Sequence, residues 1–146
     1  MTRAARAIEI GKQNVGVIAY KLGAKCPPGQ TLDDCEELDC SGFIRELLRE
    51  VGVVIPDGSQ QQKATCRPVP LELALGPQGA GCLLFMSPPP GAQWPRHVGI
   101  SLGGLSLECC SFGRSVDGKR VSGVCICKRD NWGSAGKLNA LFTEAE

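Results

Sequence analysis

The chain has a single histidine among 146 residues, so any mechanism that needs an imidazole must use His97. No stretch approaches the ~18 consecutive apolar residues of a membrane span. Near the N-terminus, Arg6 and Glu9 interrupt the apolar run that a secretory signal requires, so no export signal is visible and synthesis in the cytoplasm is expected. Sixteen basic against fifteen acidic residues leave a net charge of +1. That balance gives no basic surplus for nucleic acid or an anionic membrane, and neither is expected as a partner. No internal repeat or low-complexity tract occurs, and Pro88-Pro89-Pro90-Gly91 reads as a rigid loop.

What is present suits one globular domain over residues 1–146, with 42% hydrophobic and 21% charged residues. Nine cysteines are many, but an odd number without an export signal points to reduced thiols. Cys109-Cys110 and Cys125-x-Cys127 offer sulfur at spacings that match no two-residue zinc knuckle, so no metal and no cofactor are expected.

Apolar spacing near 3.6 predicts a first helix over residues 3–22, capped by Thr2, and a loop over 23–38. Phe43, Ile44, Leu47, Leu48 and Val51 recur at spacings of three and four and mark the strongest helix, over residues 41–51, ended by Gly52. A short helix is expected around Ser59–Lys63 and a loop over 67–81. The second half reads as strands at 82–86, 97–102, 105–110 and 121–127, with a last one at 137–142. Helices first and antiparallel strands second predict an α+β fold, with N-terminal helices packed on a small sheet.

Asp39-Cys40-Ser41-Gly42-Phe43 stands where loop becomes helix. Unpaired N–H groups and the positive end of the helix dipole favour a thiolate at Cys40, below the ordinary thiol pKa of about 8.5. The same N–H groups could receive an oxyanion, and Gly42 would keep the first turn open to a substrate backbone. Asp39 is expected to cap the helix or shape the loop, because a carboxylate facing the sulfur would oppose its ionisation. In the strand at 97–102, Val98, Ile100 and Leu102 alternate with His97, Gly99 and Ser101. A two-residue turn at Gly103-Gly104, both at positive φ, would set Gly99 opposite Glu108 and His97 opposite Cys110. Glu108 then lies diagonally from His97, within reach as a carboxylate that orients the base. Cys110 is the rival thiol, but no helix terminus favours its ionisation.

Together, Asp39-Cys40-Ser41-Gly42 opening a helix and His97-Val98-Gly99-Ile100 opening a strand resemble the NlpC-type cell-wall cysteine peptidases of the papain-like superfamily, over about residues 23–142. The resemblance implies Cys40 as nucleophile, His97 as general base and acid, and Glu108 as the third polar residue. Asp39, Cys40, Ser41 and Gly42 would form the oxyanion and substrate-binding segment. It also implies cleavage of amide bonds in peptidoglycan stem peptides, often between D-glutamate and a diamino acid. Gly23-Ala24-Lys25-Cys26 stands where the family usually carries Pro-Tyr-x-x-Gly-Gly, and Gly81-Cys82 where it carries Gly-Asp. Rival readings are an interbacterial amidase toxin, an acyltransferase or deamidase of the same fold, and an inactive wall-binding or assembly module. Delivery to the wall would need a phage particle, a phage pore or a secretion system, which makes phage tail or secretion-machine proteins the expected partners.

Overall fold

The computed structural model describes residues 1–88, 90–91 and 96–145, apart from the side chains of Phe112 and Arg114. Pro89, in the proline-rich loop, lies outside the described residues. The chain runs α1 (Arg3–Gln13), β1 (Ala19–Tyr20), β2 (Glu37–Leu38), α2 (Cys40–Arg49), α3 (Ser59–Thr65), β3 (Arg67–Val69), α4 (Leu71–Ala74), β4 (Leu83–Met86), β5 (Val98–Ser101), β6 (Ser106–Arg114), β7 (Arg120–Cys127) and β8 (Trp132–Lys137). Strands β3 to β8 form one antiparallel sheet in the order β3-β8-β4-β5-β6-β7, and β1 pairs in parallel with β2.

The α2 face predicted from spacing is the face that packs. Phe43, Ile44, Leu47 and Leu48 are wholly buried, in one core with Val98, Ile100, Leu107 and Cys109 of β5 and β6. Burying each large aliphatic or aromatic side chain contributes about 1.5–3 kcal/mol, against about 1 kcal/mol for a good cap. Packing therefore fixes where α2 lies, and the cap fixes where it starts. Asp39 supplies that cap, its Oδ1 accepting from the Gly42 N–H at 2.8 Å. Strand β4 is buried along its whole length, which explains its unbroken apolar run.

Several expected boundaries move. Helix α1 ends at Gln13 rather than Leu22. Gly16 takes φ +77°, and the backbone beyond it pairs with β7, the Val124 N–H donating to the Ile18 carbonyl. The expected loop at 67–81 contains β3 and α4, too short to show periodicity, and the expected strand at 137–142 is a 3₁₀ turn (Asn139–Phe142) that follows β8. The β5–β6 hairpin has the expected register, Ile100 opposite Leu107, but only Gly103 of its two glycines has positive φ, as in a type II′ turn. Not every thiol is reduced. The loop before α2 turns back through the 3₁₀ segment Leu32–Asp34 and brings the Cα atoms of Cys26 and Cys35 to 6.0 Å, where they form a disulfide.

Replacing Asp39 by Ala removes the α2 cap and should lower unfolding free energy by about 0.5–2 kcal/mol. Urea unfolding followed by circular dichroism measures this. Asp39→Asn, which can still cap, should recover most of the loss.

Candidate active site

Cys40 is the first residue of α2, and His97 immediately precedes β5. Because α2 packs on β5, its N-terminus and the start of that strand meet at a cleft of about 260 Å³. Tyr20, Cys40, His97, Cys110, Arg129 and Asn131 are among the residues that line it. The imidazole is held on three sides. Its Nε2 lies 2.8 Å from Glu108 Oε1, and its ring stacks on Trp132 with centroids 5.8 Å apart and 12° between planes. The Cys40 thiol lines the same cleft and acts electrostatically on the ring, for which Nδ1 is the remaining ring nitrogen. Gly99 gives room for this packing, since a Cβ there would stand 3.1 Å from the Trp132 ring and 3.3 Å from the Glu108 Cβ.

Glu108 is fully buried, and an uncompensated carboxylate could not persist there. Its Oε1 also accepts from Arg129 Nε at 2.8 Å and Nη2 at 2.7 Å, and its Oε2 accepts from Ser106 Oγ at 2.6 Å. Burial pushes the Glu108 pKa up, but the hydrogen bonds from His97 and Arg129 outweigh it and hold the group down at about 2. The same balance acts on His97. Burial pulls its pKa down, yet Cys40 and the hydrogen-bonded Glu108 raise it to about 9. At neutral pH the ring is therefore a cation between a fixed carboxylate and the thiol. That arrangement stabilises negative charge on sulfur and supplies a proton donor beside it.

The other residues of the predicted segment are not brought to the cleft. Asp39 and Ser41 turn away from it. Lys25 Nζ sits 2.7 Å from an Asp39 oxygen, 2.7 Å from Asp57 Oδ1 and 3.2 Å from Ser41 Oγ. This network draws the Asp39 carboxylate from the sulfur. Gly42 does not open the turn to substrate as expected. It is buried, and a Cβ there would meet Asp39 Oδ1 at 2.8 Å and the Ala24 carbonyl at 3.1 Å, so the glycine lets the cap and the preceding loop approach. Its N–H is already given to Asp39. The Cys40 and Ser41 N–H groups lie in the first turn, where no intrahelical acceptor exists. Cys110 faces Cys125 at 3.5 Å rather than His97.

Sequence reasoning missed four contributors. Arg129 and Ser106 complete the shell of Glu108, and Trp132 covers His97. Tyr20 was overlooked although the sequence marks it. It is the only tyrosine, and Tyr20-Lys21-Leu22-Gly23-Ala24 has the Tyr-x-x-Gly spacing just upstream of the Gly23-Ala24-Lys25-Cys26 stretch expected in that place. Burial and the neighbouring Cys40 and Asp39 raise its pKa, so the phenol keeps its proton and can donate a hydrogen bond in the cleft.

The NlpC/P60 family model matches residues 16–123. Among solved structures, the P60 domain of an antigen from Mycobacterium avium subspecies paratuberculosis is 25% identical, covers 94% of this chain and 97% of its own, and superposes with a TM-score of 0.60. The peptidoglycan hydrolase RipB of Mycobacterium tuberculosis is 26% identical over 92% of this chain and 66% of its own, with a TM-score of 0.58. A lipoprotein-like NLP/P60 protein of Staphylococcus aureus shares the fold at 18% identity and a TM-score of 0.66, over 92% of this chain but only 41% of its own length. No curated protein sequence matches the chain.

Because His97 is the sole histidine, its ring protons can be followed without assignment. Nuclear magnetic resonance titration should give a midpoint near 9, and Glu108→Gln should lower it by removing the carboxylate that favours the cation. A midpoint near 6.5 in the native protein would contradict the ion pair. Linkage has the same sign. The pair's contribution to stability is full between about pH 4.5 and 6.5, fades as pH rises through about 9, and is lost on the acid side as pH falls toward about 2.

Proposed function

Because the chain belongs to the NlpC/P60 family, we propose that it is a cysteine hydrolase that cleaves amide bonds in the stem peptides of peptidoglycan. The observation that carries this reading is the Cys40–His97–Glu108 line, with sulfur and imidazole lining one open cleft and the carboxylate sealed behind the ring. In the first step His97 holds the proton of Cys40, and the thiolate attacks the stem-peptide carbonyl. The N–H at the start of α2 and the Tyr20 hydroxyl then receive the oxyanion, a role supported by the position of Tyr20 and Cys40 in the same cleft. The imidazolium then protonates the departing amine, leaving a thioester on Cys40. His97, neutral again, takes a proton from water as it attacks the thioester, and the acid leaves with Cys40 restored.

The Arg129 charge is paired with Glu108, whereas Arg96 lines the same cleft and gives it positive charge. That supports a substrate with free carboxylates, and the bond between D-glutamate and a diamino acid is the one we assign. The site of action in this reading is the wall, reached through a phage particle, a phage pore or a secretion system. The Cys26–Cys35 disulfide supports a place of action outside the reducing cytosol.

Digestion of purified peptidoglycan, with mass spectrometry of the fragments, tests substrate and bond together. Cys40→Ala should abolish fragment release, and His97→Ala should slow it by roughly 10²–10⁴-fold through loss of acid–base catalysis. Glu108→Gln should keep part of the rate, since an amide oxygen can still orient the ring. Unchanged release by Cys40→Ala would overturn the assignment.

A further inference from the structure

Beside the cleft lie three thiols that the hydrolytic chemistry does not use. Cys110, Cys125 and Cys127 are 5%, 1% and 0% exposed, and their Sγ atoms all lie within 4.8 Å of one another. The pairing of β6 with β7 produces the convergence. Cys110 opposes Gly123, Glu108 opposes Cys125 and Ser106 opposes Cys127, so alternation puts all three sulfurs on the sheet face that carries Glu108. Cys109 falls on the opposite face and points its Sγ at the Leu38 carbonyl, 3.3 Å away.

Two further features belong to this cluster. The register of β6 against β7 shifts between Cys110 and Gly113, and Ser115 then bridges back to Cys127, so the chain folds over the sulfurs. At Gly113 a Cβ would collide with Cys110 Sγ and stand 3.0 and 3.2 Å from Cys127 and Cys125 Sγ. All three sulfurs thus pack around one backbone position that tolerates no side chain. Their spacing suits a shared cation. With metal–sulfur bonds of about 2.3 Å, two ligands of a tetrahedral site lie about 3.8 Å apart. The Cys125–Cys127 and Cys110–Cys125 distances are 3.0 and 3.5 Å, and no pair exceeds 4.8 Å.

We propose that Cys110, Cys125 and Cys127 form a trithiolate site for a thiophilic cation, Zn²⁺ or Cu⁺. Both cations prefer sulfur ligands, and binding releases the thiol protons to solvent. Arg129 is near enough to Cys110 and Cys127 to interact with their charge, which offsets the excess negative charge of three thiolates. Cu⁺ is satisfied by three sulfurs, whereas Zn²⁺ takes a water as its fourth ligand. The bound ion would clamp β6 to β7, the strand pair that carries Glu108 and leads into Arg129. The proposal does not rest on the hydrolytic reading.

The test uses the full chain carrying Cys40→Ala, which removes the cleft thiol as a competing ligand. Reduced protein is titrated with Zn²⁺ and with Cu⁺ against chelators specific for each, and Co²⁺ serves as a spectroscopic reporter. The expected result is one equivalent of at least one of the two cations and a thiolate-to-cobalt charge-transfer band. Saturation by Cu⁺ alone identifies the three-coordinate form, and saturation by Zn²⁺ the form with water. Adding Cys125→Ser should weaken binding by more than the roughly 10–100-fold lost when a group one step removed from a metal is changed. Gly113→Ala, which crowds the three sulfurs but keeps every thiol, should also weaken it, and circular dichroism establishes that each variant is folded. Should Cys125→Ser not fold, Gly113→Ala and the cobalt band decide. Retention of neither cation by the Cys40→Ala protein, or equal weakening by Cys66→Ser and Cys125→Ser, would overturn the proposal.

Discussion

The buried carboxylate of Glu108 is the constraint around which the site is built. A wholly buried charge is tolerated only if it is paired and its lone pairs are used. Here three side chains, His97, Arg129 and Ser106, converge on its two oxygens. The pairing satisfies Glu108 and also fixes what His97 can do. Held by Nε2 and stacked on Trp132, the ring has one nitrogen left and one direction in which to present it. Removing the carboxylate would do more than delete a partner. It would leave the half-buried Arg129 and the imidazolium as uncompensated cations on the same face of the sheet.

The fold brings the two halves of the site together through its hydrophobic core. Helix α2 delivers Cys40 because its apolar face is committed to β5 and β6, and β5 delivers His97 because the same packing holds its other face. A second group of charges keeps the sulfur's surroundings favourable. Asp39 caps the helix and, with Asp57, is tied to Lys25. Two carboxylates near the start of α2 are thereby occupied with a cation rather than facing the thiol. The glycines at 42, 99 and 113 each permit a close approach, of a cap, of an aromatic ring and of a sulfur cluster. None of the three adopts positive φ, so their value lies in the missing Cβ rather than in backbone freedom.

Much of this was legible in the sequence where local pattern and long-range packing agree. The α2 periodicity, its Asp39 cap and the hairpin register that sets Gly99 beside Glu108 all follow from short-range rules, and the structure shows the same arrangement. What escaped notice depends on contacts distant in sequence. Arg129 reaches Glu108 only because β6 and β7 pair in one register, and the sulfur cluster depends on that same register together with a bulge that no local rule signals. Helix α1 is shorter than its apolar spacing suggests: Val15 and Ile18 keep the helical period, but the backbone of Gly16 and Ile18 bonds to Val124 of β7 instead. Tyr20 differs in kind, since its spacing to Gly23 is a local pattern that lies just upstream of the expected stretch. The Cys26–Cys35 disulfide depends on a tight loop that composition alone does not reveal.

The account stands on the claim that His97 makes Cys40 chemically distinct from the other thiols, and alkylation kinetics address it without any assumption about substrate. Native protein is treated with limiting iodoacetamide, and modification of each cysteine is followed by peptide mapping. Cys40 should react first, well ahead of the similarly half-exposed Cys66, whose thiol burial pushes up to about 11, and His97→Ala should remove most of that lead. Equal labelling of Cys40 and Cys66 in the native protein, or a lead that survives loss of the imidazole, would contradict the account.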